Sequence, residues 1–211
     1  MTGVSESVPR TATGSSTDRN YDGQAIAISV FSTIRPWRNA LVPIPGRVLL
    51  PIAFALIARI PALTRKARKL SFIHFAHWTL IKRLPYNGAP QPRQKLRYTH
   101  MYFESNFNGG WEEYIDAFSH VLTFGMNAFW GSGFGYPKPL PTAPFKAYIK
   151  QQEVEAGHYY SAYPQATVTM VRAGLQLSER LARFDRETAG LDAAAFAAAY
   201  TELLSDAQGW L

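Results

Sequence analysis

Runs of apolar residues, and the breakers between them, divide the chain into elements. Residues 25–34 (AIAISVFSTI) are apolar and β-branched, as in a strand covered on both faces, and Arg35-Pro36 ends the run. Residues 46–68 read as a helix, with Pro51 early enough to be tolerated. Residues 70–81 (LSFIHFAHWTLI) make a second strand, apolar or aromatic on both faces. Three prolines and an Asn-Gly in residues 84–94 predict a loop joining antiparallel strands, the next of which spans 96–107.

After the Asn108-Gly109-Gly110 turn a helix begins near Trp111. Trp111, Tyr114, Ile115, Phe118, Val121 and Leu122 fall on one face. Glu112, Glu113 and Asp116 sit where the helix dipole favours negative charge. Residues 130–141 read as a Gly/Pro/aromatic loop, 144–155 as a short helix and 158–163 (HYYSAY) as a fourth strand. A helix over 166–184, with Val168, Val171, Leu175 and Leu181 inward, and an Ala-rich helix over 191–204 complete the chain.

The resulting order is βαββαβ, so the expected fold is α+β, a ferredoxin-like sheet with additional C-terminal helices. In that fold helices cover one face of the sheet. A second copy is the expected cover for the other, which predicts a homodimer. The expected organisation is a disordered leader (1–23), an α+β domain (24–184) and a C-terminal helical extension (185–211).

Charge changes this picture. Between Asp22 and Glu104 there is no acidic residue and there are thirteen Lys and Arg. Residues 1–23 sum to −1, 24–103 to +13 and 104–211 to −5. Such asymmetry speaks about partners rather than fold. The most apolar run, VLLPIAFALIARI (48–60), has thirteen residues, is interrupted by Arg59 and is bounded by Pro61. A spanning helix needs about 20 apolar residues, so two readings stay open. One is a core helix. The other is a helix lying in a membrane interface, with Arg47, Arg65, Lys66, Arg68 and Lys69 contacting anionic headgroups. With no secretory h-region in the first 23 residues, the expectation is a cytoplasmic protein, peripheral on the inner face of the plasma membrane in the second reading.

Candidate chemistry centres on the strands. His74 shares a face of its strand with Ala76 and Trp78; His100 shares one with Tyr102 and Glu104. Pairing of the two strands as a hairpin predicts that His74 or Trp78 meets His100 or Tyr102, an imidazole, phenol and carboxylate set fit for acid–base catalysis. Glu104, on an aromatic strand, needs a partner, for which Arg35 is the candidate. Trp130, Phe134 and Tyr136 on a glycine-rich loop, with Trp78, are the candidate ligand-binding aromatics. Spacings such as HxH or HExxH are absent, so no metal site is expected. The RNP-like pattern is absent too, and the basic residues lie beside apolar segments, which argues against nucleic acid.

The runs SFIHFAHWTLI (71–81) and YFESNFNGGWEEYIDAF (102–118) carry a resemblance. They resemble a group of stand-alone actinobacterial-type proteins with an HFARW strand followed by LFESNFDGxWxxYxxxF. That group is similar to the α+β-barrel superfamily of dye-decolorising peroxidases and chlorite dismutase-like proteins. The resemblance covers roughly residues 25–180, more loosely at SVFSTIRPW (29–37). It implies an antiparallel α+β sheet and, in part of the superfamily, haem with a histidine ligand, for which His120 and His158 are the candidates. His77 stands where the pattern has Arg and Asn108 where it has Asp; GSGFG (131–135) lacks the Asp of the peroxidase GxxDG signature. Three function classes follow: an enzyme or carrier for a small lipophilic, anionic ligand; a haem-dependent oxidoreductase; and a non-catalytic subunit docking an acidic partner.

Overall fold

The computed structural model describes residues 20–36, 44–60, 65 and 69–210. Most of the expected leader (residues 1–19), Lys66 and Arg68 lie outside the described residues.

The fold is α+β. Its strands are β1 (Tyr21–Asp22), β2 (Ala25–Ile34), β3 (Ile73–Ile81) and β4 (Thr99–Asn108). They form one antiparallel sheet in the order β1-β2-β4-β3. Six helices are present among the described residues: α1 (Gly46–Arg59), α2 (Trp111–Val121), α3 (Thr123–Trp130), α4 (Thr142–Gln152), α5 (Val168–Thr188) and α6 (Ala193–Ala207).

Three expectations need correction. Residues 20–22, expected to belong to a disordered leader, are structured: Asn20 is buried and β1 pairs with the start of β2. The strand expected at 158–163 does not form, so the βαββαβ order is not what is seen. In its place the segment 153–164 follows the free side of β2 without regular pairing. Val154 N–H donates to Ser29 O at 2.8 Å and Gln24 N–H to Pro164 O at 2.6 Å. Asp22 and Asn20 accept backbone N–H groups of Ser161 and Ala156 at 2.7 and 2.9 Å. These side chains satisfy groups that a strand would pair, and β1 takes up the edge. Finally, the apolar face expected to be inward on α5 is largely uncovered, with Val171, Leu175 and Leu181 all exposed. This helix packs on α6 through Phe184, whose ring lies 5.5 Å from Phe196 and 6.2 Å from Tyr200.

The core lies between one face of the sheet and helices α1 to α4. Ile26, Ile28, Val30 and Ile34 of β2 and Met101, Phe103 and Phe107 of β4 point into it, alternating along each strand. The helices contribute Trp111, Tyr114, Ile115 and Phe118 from α2, Phe129 and Trp130 from α3, and Phe145, Tyr148 and Ile149 from α4. Helix α1 buries Gly46 and Leu50 and half-buries Phe54, which meets Phe129 with ring centroids 5.5 Å apart. A glycine is needed at 46, because a Cβ there would overlap the Ser132 side chain and stand 2.8 Å from Ile34 Cγ2. Lys146 ties α4 to α2, with Nζ 2.6 Å from Glu112 and 2.8 Å from Asp116.

Candidate functional site

The two faces of the sheet divide the candidate residues. On the face away from the helices, β4 presents His100, Tyr102 and Glu104, flanked by Thr33, Phe31 and Ser29 of β2 and by Ile81, Thr79 and His77 of β3. Tyr102 Oη donates to Glu104 Oε2 at 2.9 Å and lies 3.1 Å from Ser29 Oγ. His77 Nε2 is 4.0 Å from the same carboxylate oxygen. His100 Nδ1 is 3.1 Å from Thr33 Oγ1, and its ring stacks on Phe31 at 4.9 Å. Desolvation, with the hydrogen bond and charge of Glu104, raises the Tyr102 phenol above its ordinary value against the opposing Ser29 bond. Tyr102 therefore stays protonated near neutral pH, a donor to Glu104 rather than a base.

His74 is not part of this set. A β-bulge shifts the register between Ile73 and Phe75, so Ile73 opposes Phe107 while Phe75 opposes Asn106. His74 is the extra residue. Ala76, Trp78 and Leu80 face the core on the same side as His74, while His77 faces Glu104. His74 and Trp78 thus lie on the opposite side of the sheet from His100, Tyr102 and Glu104. The expected meeting does not occur, and His77 takes the place given to His74. Arg35 is not the partner of Glu104; its guanidinium donates to Gly131 O at 2.9 Å.

His74 and Trp78 instead wall a pocket of about 610 Å³ on the helix side, beside β3. Leu70, Ile73 and Ala76 form the strand wall with them, Phe118 and Leu122 the wall from α2 and its end, and Val168, Val171 and Arg172 the wall from α5. Arg172 and His74 are the only lining residues with a charged or titratable side chain. Among the described residues Arg172 has no carboxylate within ion-pair distance. Trp78 is held by Phe103 and Phe129, both at 4.9 Å between centroids.

Asn108 places the α5 wall. Its Oδ1 accepts the Val168 N–H at 2.9 Å, its Nδ2 donates to Gln24 O at 2.8 Å, and its own N–H donates to Phe72 O at 2.8 Å. One residue thereby joins the approach to β2, the approach to β3 and the start of α5, one turn before Arg172. Thr167 caps the same helix by accepting from Met170 N at 3.1 Å.

Of the four candidate ligand-binding aromatics only Trp78 reaches the pocket. Trp130 is not in a loop but ends α3, and it is buried against Phe103 at 5.0 Å. Tyr136 donates to Asn127 Oδ1 at 3.1 Å and packs edge-on to Phe145. Phe134 is partly exposed, edge-on to Tyr98 at 5.4 Å. Sequence reasoning missed Arg172, Ser29 and His77 as site residues. The alternation of β3 sets His77 opposite His74, Ala76 and Trp78, and the missing piece is which of those faces meets Glu104.

His120 and His158 are exposed and neither lines the pocket. His74 lines it, but its Nε2 is enclosed by protein. Among the described residues no group of three or more His, Asp or Glu is placed to hold a metal ion.

Of the candidate headgroup contacts, Arg47, Arg65 and Lys69 are exposed. No helix among the described residues is long and apolar enough to cross a membrane.

No protein-family model matches the chain, and neither a curated protein nor a solved structure is significantly similar to it.

Proposed function

We propose that this protein binds a small lipophilic anion in the pocket between β3, α2 and the first turns of α5. The observation that carries the reading is an apolar cavity of about 610 Å³ whose sole permanent charge among the described residues is Arg172, which is exposed at its mouth with no carboxylate within ion-pair distance among those residues. Binding cavities for small molecules are of this size and composition, with a few polar groups fixing orientation. The hydrocarbon part would lie against Ile73, Ala76, Trp78 and Phe118. The anionic head would meet the Arg172 guanidinium, which suits a planar carboxylate. The Tyr102–Glu104–His77 set lies across the sheet from this ligand, so the reading is a carrier or sensor rather than an acid–base catalyst.

The fold supports a ferredoxin-like ancestry for β2–α1–β3–β4–α2, in which 153–164 occupies the fourth-strand position without strand pairing. That reading also agrees with the α+β-barrel resemblance.

Tryptophan fluorescence with a long-chain alkyl carboxylate and the alcohol of equal length tests the function. Saturable binding of the carboxylate, about tenfold or more tighter than the alcohol, is expected from one charge-assisted contact. R172A should abolish that preference, and A76W, which fills the pocket, should abolish binding of both. Equal binding of the two ligands to the wild type, or binding unaffected by A76W, would overturn the proposal.

A further inference from the structure

Helix α1 is apolar all round, yet only one side of it is packed. Gly46, Leu50, Phe54 and Ile57 turn towards the core. On the opposite side Ile44, Val48, Ile52, Leu56 and Ile60 recur every four residues, and all five are 40% exposed or more. At 100° per residue the helical members Val48, Ile52 and Leu56 span about 80° of the surface, a continuous aliphatic stripe. The N-terminal end of the stripe carries Arg47. Its C-terminal end carries Arg59, and Arg65 and Lys69 follow in the connection to β3; all four are exposed. None of the four has a carboxylate within ion-pair distance among the described residues. The sequence offers no acidic residue between Asp22 and Glu104 to neutralise them.

We infer that this face of α1 docks on an anionic lipid surface, with the stripe in the acyl boundary and the basic residues among the headgroups. Charge complementarity selects the occupant. An aliphatic ridge rimmed by uncompensated cations is what an interfacial helix presents to anionic lipid. A protein interface draws its energy from aromatic and Arg anchors seated among hydrogen-bonded neighbours, and the stripe holds no aromatic or polar side chain. The connection also bears on the pocket, because Lys69 directly precedes Leu70, a residue of the pocket wall. Docking does not require the pocket reading.

Co-sedimentation of the full-length protein with phosphatidylcholine vesicles, with and without phosphatidylglycerol, tests the inference. Binding to the anionic vesicles alone, lost at high salt as exposed charges are screened, is expected. I52E should lower the partition coefficient about tenfold or more, since it sets a charge where the docked helix would seat an aliphatic group in the acyl boundary. The double charge reversal R65E/K69E should do the same, while L204E on the exposed side of α6 leaves binding unchanged. R172A should also leave it unchanged, which separates docking from the pocket. Failure to bind anionic vesicles, or full binding by I52E, would overturn the inference. Light scattering identifies the competing occupant: a dimer that I52E converts to monomer, with no vesicle binding, would assign the stripe to a second copy.

Discussion

Two substitutions one turn apart or less on α1 separate its faces. Leu50 is completely enclosed, whereas Ile52 is 53% exposed. Truncating an enclosed Leu to Ala removes the transfer energy of its methyl groups and leaves a cavity, at a cost of about 2–5 kcal/mol. For Ile52 at most half of the side chain is withdrawn from water, and no enclosed cavity is left behind. The loss for I52A is then about 1 kcal/mol or less. In a chain of 211 residues each kcal/mol moves the melting temperature by roughly 2–4 °C. L50A should therefore melt roughly 4–20 °C below the wild type, and I52A within about 4 °C of it. Urea denaturation followed by circular dichroism checks the same difference, with an unchanged slope in both variants. Vesicle binding should invert the ranking: L50A binds as the wild type below its melting transition, and I52A binds less. Equal destabilisation by the two substitutions would mean that something packs on the outer face, and the two-sided description of α1 would be wrong.

Two further outcomes follow from the contacts. N108D keeps the acceptor for Val168 N–H but sets a carboxylate against Gln24 O in place of a donor. It should cost about 1–2 kcal/mol in urea denaturation and weaken pocket binding through the shifted start of α5; unchanged stability and binding would remove Asn108 from its joining role. D116N probes the α2–α4 tie. The hydrogen bond from Lys146 holds the Asp116 carboxyl below its ordinary 3.8, against a smaller opposing desolvation. Because the folded value is depressed, its stabilisation is complete above the unfolded value and disappears as pH falls through the folded one. The pair is partly exposed, so the gap between wild type and D116N should be about 0.5 kcal/mol at neutral pH. It should close in acid, and a gap that widens on acidification would refute the assignment.

Much of the fold is legible in the sequence because burial leaves a periodic trace. The face of α2 is read from 3.6-residue spacing, and Trp111, Tyr114, Ile115 and Phe118 are buried as read, while Val121 at its end is exposed. Strand β4 shows the expected split, with His100, Tyr102 and Glu104 together on one side, whereas β2, expected to be covered on both faces, leaves Phe31 exposed. Elements that depend on non-local pairing leave no such trace. The residues 158–163 have strand composition, but the side of β2 they would join is met by Asp22 and Asn20, which take their backbone donors instead. Composition also cannot tell which apolar helix face finds a partner, and for that reason α5 shows Val171 and Leu175 where an inward face is expected.

The candidate site turns on a choice of the same kind. Period-two reasoning sorts β3 into two faces, His74, Ala76 and Trp78 on one and His77 and Thr79 on the other, and the strand keeps that division. Which of the two meets the polar face of β4 is set by register, which composition does not carry. The pairing of His77 with Glu104 and of Trp78 with Phe103 makes two separate features of the anticipated cluster: His77 beside Glu104 on one face, and His74 with Trp78 in an apolar wall on the other. Arg172, the cation of that pocket, stands about seventy residues from Tyr102 in sequence and is brought beside β3 by α5, whose start is held by Asn108. The pocket is therefore a property of topology. It joins a wall from the basic half of the sequence to an Arg contributed by the acidic half, and on the proposed reading that Arg would set the ligand preference.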